Sequence, residues 1–316
     1  MRNVLCIGDV MLDKHRMGTV NRISPEAPVP VIEELGNQII SLGAAANVAS
    51  HIVNMGGNCF LAYKKCKDTQ EYSSYSYFEE ICNKEGIHCF GLEMQHVTHP
   101  ITTKERIWAN KQQVCRIDKE DRTTPDNLIE NIWIQKIIDI IQNNEIKVVV
   151  FSDYNKGTLT DNIIWQLSNY CHSKGIHTIL DPKRSTFIKF SKITIIKPNK
   201  KEMEATGLGP IALSGLIGDT IIVNTLAENG VKVYKNGDII YSYASLVSKN
   251  EVVDVCSAGD AFCACLAIGL ANDWDIKKSI QIASSVCAEV IKHIGSYIPP
   301  KEVIENIISL YDKGDK

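Results

Sequence analysis

The chain has 316 residues, of which 44% are hydrophobic and 22% are charged. This apolar content excludes a disordered chain, and the length allows one large α/β domain or two small ones. The formal net charge of -3 provides no basic field that could hold a polyanion, so we do not expect nucleic-acid binding.

The eleven cysteines are scattered and include no C-x-x-C pair. This pattern favours reduced, mostly buried thiols over a disulfide framework or a zinc site. The longest apolar run, residues 261–271, is too short to span a bilayer, and the opening segment has too few apolar residues for a signal peptide. The sequence therefore predicts a cytoplasmic protein without membrane attachment.

In chain order, the first half of the sequence mixes short apolar strands and helices with two extended segments. We predict strands at 4–7 and 59–63, helices at 43–55 and 72–84, and extended chain at about 16–40 and 98–118. Three prolines within six residues, Pro25, Pro28 and Pro30, forbid a helix in the first extended segment. Because both extended segments interrupt the strand–helix pattern, we expect them to form one small β-sheet that acts as a lid.

After Pro125 the alternation of strands and helices becomes regular. We predict helices at 128–143, 161–174, 200–206, 260–272, 276–293 and 301–311, strands at 147–151, 177–180, 194–196 and 220–223, and a hairpin at 231–234 and 239–242. Short, wholly apolar strands between helices are typical of a parallel sheet that is covered on both faces. We therefore expect a single α/β domain over residues 1–316.

The most informative motif is the segment 254–260, which ends in Ser257, Ala258, Gly259 and Asp260. Small residues let the backbone turn tightly into a helix, and the first turn of a helix offers unpaired N–H groups to a phosphoryl group. Asp260 could accept a proton from a substrate hydroxyl there. The alternative is an ordinary helix cap that follows a loop of small residues.

Two further groups of residues are candidates for ligand binding. Asn199 and Glu202 have the spacing of a helix capping box, and they could equally hold water-coordinated Mg²⁺ and nucleotide phosphates. On the sugar side, Asn47 could bind a polyol, and Lys104 and Arg106 share one face of an extended segment, where they could clamp a phosphate. The alternatives are a plain helix start and a solvated strand face.

Taken together, these segments resemble the ribokinase-like (PfkB) family of sugar kinases. The family signature D-x-x-G-A-G-D matches residues 254–260, its N-x-x-E matches 199–202, and its G-G-x-x-N segment matches 43–47. The segments 21–31 and 152–157 are similar to the branch of the family that phosphorylates heptose 7-phosphate.

This resemblance implies a ribokinase-like three-layer α/β sandwich with a mostly parallel central sheet and a small β-sheet lid. It implies an ATP-dependent transfer to the anomeric hydroxyl of D-glycero-D-manno-heptose 7-phosphate, giving heptose 1,7-bisphosphate for ADP-heptose and lipopolysaccharide core. It also raises two further expectations, a monovalent cation near the site and a homodimer formed through the lid.

The resemblance also implies a role for each matching residue. Asp260 would be the catalytic base, and the backbone amides of Ser257, Ala258 and Gly259 would form the anion hole. Asn199 and Glu202 would position Mg²⁺ and the phosphates, with Glu202 acting through water, while Thr225 and Gly230 would border ATP. The residues expected to face the sugar phosphate are Asp13, Gly43, Asn47, Lys104, Arg106 and Lys156.

Three glycines of the family pattern are replaced in this chain, by Ala44, Ala227 and Ser257. If any of these positions has a positive φ, each added Cβ costs about 1–2 kcal/mol. Two other classes of function therefore stay open. One is a kinase of the same fold with another sugar phosphate or a nucleoside as substrate, and the other is a non-catalytic protein that binds sugar or nucleotide.

Overall fold

The computed structural model of the chain describes residues 2–36, 38–66, 74–94, 101–110 and 112–312. Residues 98–100 and 111 of the second predicted lid segment lie outside the described residues, as do residues 72 and 73 of the predicted helix 72–84.

The β-strands belong to two separate sheets. In chain order they are β1 (Asn3–Gly8), β2 (Val10–Ile23), β3 (Pro30–Glu34), β4 (Ile39–Ala44), β5 (Asn58–Cys66), β6 (His88–Met94), β7 (Thr102–Ala109), β8 (Gln112–Lys119), β9 (Val148–Ser152), β10 (His177–Asp181), β11 (Ile195–Ile196), β12 (Ile221–Thr225), β13 (Val231–Lys235) and β14 (Asp238–Tyr243). Within the described residues, the large sheet has the order β14-β13-β12-β11-β10-β9-β1-β5-β6. In this order the strands from β12 through β9 and β1 to β6 are parallel. Strands β13 and β14 are antiparallel at one edge.

Helices cover the large sheet. They are α1 (Ala45–Asn54), α2 (Ser74–Lys84), α3 (Asn127–Asn143), α4 (Asp161–Ser173), α5 (Lys200–Glu204), α6 (Pro210–Leu216), α7 (Ala258–Ala271), α8 (Ile276–Val290) and α9 (Lys301–Asp312). Helix α7 contacts β1, β9 and β10, and it packs between α1 and α8, while α3 packs on α4 and α4 contacts β10. None of the helices in the described residues has the length and apolar character needed to cross a bilayer.

The middle of the large sheet is the core of the molecule. Every residue of β1 and of β9 is buried, so both faces of the sheet are covered at these strands. The helix α7 is buried along most of its length because its sequence, AGDAFCACLAIGLA, has apolar or small residues on all sides after the first turn. This burial fixes the start of α7 against the ends of the central strands.

The small sheet is built around the long strand β2. This strand begins one residue after β1, pairs with β4 and then β3 along one edge, and pairs with β7 along the other edge. Strand β8 pairs with β7 and is exposed at every residue. The strands of the small sheet lie between residues 10 and 44 and between residues 102 and 119. The first span is wider than the predicted 16–40, and the second ends one residue after the predicted 98–118.

The prediction of an α/β fold with a mostly parallel central sheet and a small second sheet is confirmed. Several local predictions differ from the structure, and one is helix α6, where the sequence analysis gives no helix. Strand β6 was not predicted, because it lies at the sheet edge and mixes exposed polar residues with half-buried apolar ones. The helix predicted from residue 43 begins at Ala45, because Gly43 and Ala44 pair with Met11 and Val10 as the end of β4.

All three residues that replace family glycines have a positive φ. The φ angles are 55° at Ala44, 51° at Ala227 and 72° at Ser257, in a region where a Cβ costs about 1–2 kcal/mol. Ala44 precedes α1 and Ser257 precedes α7, so two of the three strained residues lie at helix starts beside the candidate site. This local strain is retained because the surrounding structure holds these turns.

We expect Ala227→Gly to raise the free energy of unfolding by about 0.5–1 kcal/mol, because glycine adopts the positive φ without a Cβ clash. Ala205→Gly is the matched control, since Ala205 is also exposed but has a φ of −65°. There the same change is expected to lower stability by up to about 1 kcal/mol. Urea denaturation measures both variants, and a loss of stability in Ala227→Gly would contradict the assignment of strain.

Candidate active site

Polar side chains gather at the carboxyl ends of the parallel strands, the edge at which open α/β sheets bind ligands. Asp153 and Tyr154 follow β9 directly, and Asp181 is the last residue of β10. Lys197 follows β11. Helix α7 begins at the same edge, and its first turn carries Asp260.

Asp260 is a buried carboxylate with a defined partner on each oxygen. Its relative exposure is 5%. The side-chain amide of Asn47 donates to Oδ2 at 2.8 Å, and the hydroxyl of Tyr154 donates to Oδ1 at 2.6 Å. The carboxylate is therefore fixed in orientation by α1 on one side and by the loop after β9 on the other.

The surroundings of Asp260 make it a stronger base than an exposed aspartate. Burial raises its pKa to about 6, although the hydrogen bonds from Asn47 and Tyr154 oppose that rise. Asp181 adds to the rise and Lys197 opposes it. A carboxylate with this pKa is ionised near neutral pH and still binds a proton readily, which is what a general base requires.

Ser257 lies at the start of α7, where its hydroxyl has two partners. The amide of Asn47 donates to Oγ at 2.7 Å, and Nε2 of His51 lies 3.3 Å from the same atom. Burial lowers the pKa of His51 to about 3, so this ring is neutral and can accept a hydrogen bond from the Ser257 hydroxyl. These contacts hold the serine in the positive-φ conformation that the family pattern gives to glycine.

The first turn of α7 is open to an anion. Ser257 makes no side-chain cap hydrogen bond to this turn, so the cap leaves the N–H groups of Ala258 and Gly259 available. Unpaired amides and the positive end of the helix dipole both favour a phosphate at this position. This turn lies beside Asp260, and the anion-hole role of its amides stays a prediction.

Lys197 adds a buried positive charge that the sequence analysis did not single out. A Cβ built on Gly259 would lie 3.8 Å from Nζ of Lys197, and this Nζ forms an ion pair with Asp181 at 3.0 Å. Burial lowers the pKa of Lys197, but Asp181, Cys263 and Glu202 together raise it, and the net change is upward. The ammonium is therefore charged and lies close to the open helix turn.

Asn199 and Glu202 form the capping box of α5. Asn199 Oδ1 accepts from the backbone N–H of Glu202 at 2.9 Å, and Glu202 Oε2 accepts from that of Asn199 at 2.8 Å. The other carboxylate oxygen of Glu202 accepts from Lys183 at 2.7 Å. These contacts are those of an ordinary helix capping box. A role of both residues in binding Mg²⁺ and phosphates stays a prediction.

The oxygen atoms of Asn199 and Glu202 suit Mg²⁺ that is bound mainly by water and phosphate. In the part of the chain that the structure describes, no three His, Cys, Asp or Glu side chains converge on one point. Mg²⁺ commonly uses one or two carboxylates and completes its shell with water and phosphate oxygens. Asn199 Oδ1 and both oxygens of Glu202 already accept hydrogen bonds, so these residues fit Mg²⁺ through its bound water, with phosphate oxygens completing the shell.

Thr225 and Gly230 lie at the two ends of a turn next to this capping box. Thr225 forms an isolated parallel bridge with Asn199, and its backbone N–H donates to Pro198 O at 3.0 Å. Gly230 has a φ of 77°, and a Cβ there would lie 2.1 Å from Tyr243 O. Only glycine fits at residue 230, whatever its role toward ATP.

On the small-sheet side, Asp13 and Arg106 form a buried ion pair. Arg106 Nη1 donates to Asp13 Oδ1 at 2.6 Å, and the two side chains are 11% and 6% exposed. Gly43 permits this arrangement, because a Cβ there would lie 2.6 Å from Asp13 Oδ2. Ser296 donates to the same oxygen at 3.3 Å. Part of the positive charge predicted for a phosphate clamp is thus balanced by Asp13.

The two predicted substrate lysines have different surroundings. Lys104 Nζ lies 5.9 Å from the centre of the Tyr154 ring, beside the partner of Asp260. Lys156 Nζ instead forms an ion pair with Glu120 at 2.5 Å. Among the predicted sugar-side residues, Asn47 contacts Asp260 directly, and Lys104 approaches it through Tyr154.

A cavity of about 320 Å³ opens at the opposite ends of the strands of the large sheet. Arg2 and Met55 line it on one side, and Ile304 and Glu305 of α9 line it on the other. It lies at the amino ends of the strands, whereas ligands of parallel α/β sheets bind at the carboxyl ends. We therefore assign the candidate active site to the edge that carries Asp260.

A buried carboxylate, a helix start with unpaired amides and a neighbouring ammonium on a parallel α/β sheet are the groups expected of a phosphoryl-transfer site. Residues 1–303 match the profile described as pfkB family carbohydrate kinase. The chain belongs to this family, which confirms the predictions of a carbohydrate kinase and of a ribokinase-like fold.

Curated relatives with the name "Bifunctional protein HldE" are similar to almost the whole chain. The protein from Helicobacter hepaticus is 31% identical over 310 residues, which cover 93% of this chain and 61% of that protein. The protein from Campylobacter concisus is 32% identical over 317 residues, which cover 97% of this chain and 64% of that protein. The chain thus spans less than two thirds of the length of these relatives.

Solved structures of two sugar kinases share the fold. Phosphofructokinase-2 from Escherichia coli, solved with substrates and products, has a TM-score of 0.76 at 15% identity, covering 99% of this chain and 100% of that chain. Ribokinase from Thermotoga maritima has a TM-score of 0.67 at 17% identity, covering 97% of this chain and 99% of that chain.

We expect Asp260→Asn to stabilise the fold at pH 8. The pKa of Asp260 is about 6 in the folded chain and about 3.9 in an unfolded one, so burial of its charge costs about 3 kcal/mol above pH 6. Asparagine resembles the protonated form and avoids this cost.

Below pH 6 the folded protein takes up the proton, so the gain from Asp260→Asn should shrink as the pH falls toward 4. Urea denaturation at pH 8 and at pH 4.5 measures this difference. Asp139→Asn, at an exposed position of α3, is the control and should show no such dependence. Equal stability of Asp260→Asn and the parent at pH 8 would contradict the raised pKa.

Proposed function

We propose that this chain phosphorylates the anomeric hydroxyl of D-glycero-D-manno-heptose 7-phosphate with MgATP. The product is heptose 1,7-bisphosphate, an intermediate on the way to ADP-heptose and the lipopolysaccharide core. The observation that carries the proposal is the buried Asp260 carboxylate at the open first turn of α7. The heptose substrate is supported by the segments 21–31 and 152–157 and by the similarity to the HldE proteins.

In the proposed reaction, Asp260 accepts the proton of the sugar hydroxyl while the oxygen of that hydroxyl attacks the γ-phosphorus of ATP in line. The bond from the γ-phosphorus to the ADP oxygen breaks, and the proton stays on Asp260. Positioning and charge stabilisation account for most of the catalysis of phosphoryl transfer. A base with a pKa of about 6 suits a proton transfer near neutral pH.

The transferred group meets positive charge from two sources in this chain. The amides of Ala258 and Gly259 point from the open turn of α7, and Lys197 Nζ lies beside them. Mg²⁺, when bound, supplies further positive charge to the phosphates. Asn199 and Glu202 are the residues that would hold it, with Glu202 acting through water, and Thr225 and Gly230 would border the nucleotide.

The sugar phosphate is proposed to bind between the base and the small sheet, which then acts as a lid within a single domain of residues 1–316. Asn47 lies at the hydroxyl that reacts, because its amide already contacts Asp260. Asp13 is placed for other hydroxyls by Gly43 and Arg106. Lys104, Arg106 and Lys156 are the cations on this side that would face the 7-phosphate.

Three coarser features belong to the same proposal. A cytoplasmic location is supported by the proposed substrate and by the scattered spacing of the cysteines. A homodimer through the small sheet is supported by strand β8, an exposed edge strand that carries Val114 and Ile117. A monovalent cation is included because phosphofructokinase-2 from Escherichia coli has been solved with potassium, and its role is tested by activity with and without potassium.

The test of the substrate is a comparison of kcat/KM for heptose 7-phosphate, fructose 6-phosphate and ribose, measured as ADP release with MgATP. We expect heptose 7-phosphate to exceed the other two by at least about ten-fold, because the sugar-side groups recognise both a polyol and a phosphate. A preference for fructose 6-phosphate or ribose would replace heptose with that substrate. Binding of heptose 7-phosphate without ADP release would support a non-catalytic protein instead.

We expect Asp260→Asn to lower kcat by about 10²–10⁴, because the amide cannot accept the proton of the sugar hydroxyl. The same variant should remain folded, and circular dichroism and thermal unfolding check this. Asp139→Asn serves again as the control and should keep the parental rate. Near-parental turnover in Asp260→Asn would remove this residue from the mechanism.

A further inference from the structure

Tyr154 lies at the point where the two halves of the candidate site meet. Its hydroxyl donates to Asp260 Oδ1 at 2.6 Å. Its ring lies 5.1 Å from Nζ of Lys183 and 5.9 Å from Nζ of Lys104, distances at which an ammonium is attracted to an aromatic face. One side chain thus contacts Asp260, a lysine of the small sheet and a lysine of the loop after β10.

The loop that carries Tyr154 is held by a buried carboxylate beneath it. Asp9, which is 2% exposed, accepts the backbone N–H groups of Tyr154 at 2.9 Å, Lys156 at 2.9 Å and Thr158 at 3.0 Å. Three backbone donors on one buried carboxylate leave the loop little freedom. The position of the Tyr154 ring is therefore set by the core of the large sheet.

A second carboxylate holds the same loop from the side. Asp153 Oδ2 accepts from Arg184 Nε at 2.8 Å, and Asp153 Oδ1 accepts from the backbone N–H of Asn155 at 2.9 Å. With both neighbours of Tyr154 tied in this way, the hydroxyl reaches Asp260 as part of a fixed arrangement and not as one of several rotamers.

The phenol can act only as a donor toward Asp260. Burial and the charge of Asp260 raise the pKa of Tyr154 well above its usual value, so the hydroxyl keeps its proton at any pH at which the protein works. A donor of this kind stabilises the ionised carboxylate. It also fixes which lone pairs of Asp260 remain free to face a substrate hydroxyl.

The ring of Tyr154 connects Asp260 to residues on the proposed nucleotide side of the site. Lys183 Nζ lies over the ring and forms an ion pair with Glu202 at 2.7 Å. Glu202 is the residue to which the proposed function gives the magnesium role. The chain of contacts therefore runs from Asp260 through Tyr154 and Lys183 to Glu202.

We propose that Tyr154 is a positioning residue that orients the Asp260 carboxylate through its hydroxyl and holds Lys183 toward the nucleotide through its ring. This inference rests on the proposed role of Asp260 as the base. It separates two effects of one side chain, because the hydroxyl acts on proton transfer and the ring acts on the placement of a cation.

The other charged and titratable groups near Asp260 come from several elements. They are Cys6 of β1, Asp181 of β10, Lys197 after β11, Cys256 before α7, Cys263 of α7 and Cys287 of α8. Burial raises the pKa of each of these thiols, to about 11 for Cys256 and about 12 for Cys287. Lys197 stays charged, so the thiols and this ammonium do not change charge between pH 5 and 8.

The decisive experiment is the pH dependence of kcat/KM for Tyr154→Phe between pH 5 and 9. Loss of one hydrogen bond to a charged group should move the acidic limb upward by about one pH unit. At a pH below the limb, this is about a ten-fold loss of kcat/KM. A profile that overlays the parent would overturn the role of the hydroxyl.

Tyr170→Phe is the matched control. The Tyr170 hydroxyl accepts a hydrogen bond from Gln142 between α3 and α4, away from Asp260, so this variant should keep the parental profile. Incorporation of 3-fluorotyrosine at residue 154 tests the same point in the opposite direction, because its hydroxyl is a stronger donor and the acidic limb should move to lower pH. An unchanged or raised limb would count against the proposal.

The role of the ring is tested by comparing Tyr154→Phe with Tyr154→Leu. Phenylalanine keeps an aromatic face for Lys183 and leucine does not, so only the leucine variant should raise the KM for MgATP, by a few-fold. Equal KM values in the two variants would overturn the role of the ring.

Asp260→Asn measured alongside separates the two hypotheses. If Asp260→Asn keeps its activity, the proposed base is wrong. If it is inactive while Tyr154→Phe matches the parent at every pH, only the inference about Tyr154 fails.

Discussion

The candidate site depends on the burial of one negative charge at the start of a helix, and the rest of the fold bears the cost of that burial. Asp260 has little access to water, and its ionised form is maintained by hydrogen bonds from Asn47 and Tyr154 and by the nearby ammonium of Lys197. Each of these partners comes from a different part of the chain. The fold must therefore bring α1, the loop after β9 and the end of β11 to the first turn of α7 before this carboxylate can exist there.

The same region contains backbone that the local sequence does not favour. Ala44 and Ser257 have positive φ angles at the starts of α1 and α7, where glycine would be unstrained. The side chain of Ser257 offsets part of this cost, because its hydroxyl interacts with Asn47 and His51. Ala44 has no such polar side chain, and its strain is held by the pairing of β4 with β2.

The sequence was sufficient for the fold and for the position of Asp260 at the start of a helix, but not for the contacts around it. Wholly apolar strands identified the parallel sheet, and the small residues before Asp260 identified the turn into α7. Tyr154, Lys197 and His51 were missed as site residues, because each acts through a neighbour that is distant in sequence. Residues 199–202 illustrate the same limit, since a capping box and a ligand site share one spacing.

The junction between β1 and the long strand β2 links the two sheets to one loop of the candidate site. Strand β2 leaves β1 after the single residue Asp9 and carries Asp13. Asp9 accepts the backbone N–H groups of Tyr154, Lys156 and Thr158. One buried carboxylate thus lies at the crossing between the sheets and also sets the backbone of the loop whose tyrosine contacts Asp260, so a substitution at Asp9 would disturb both at once.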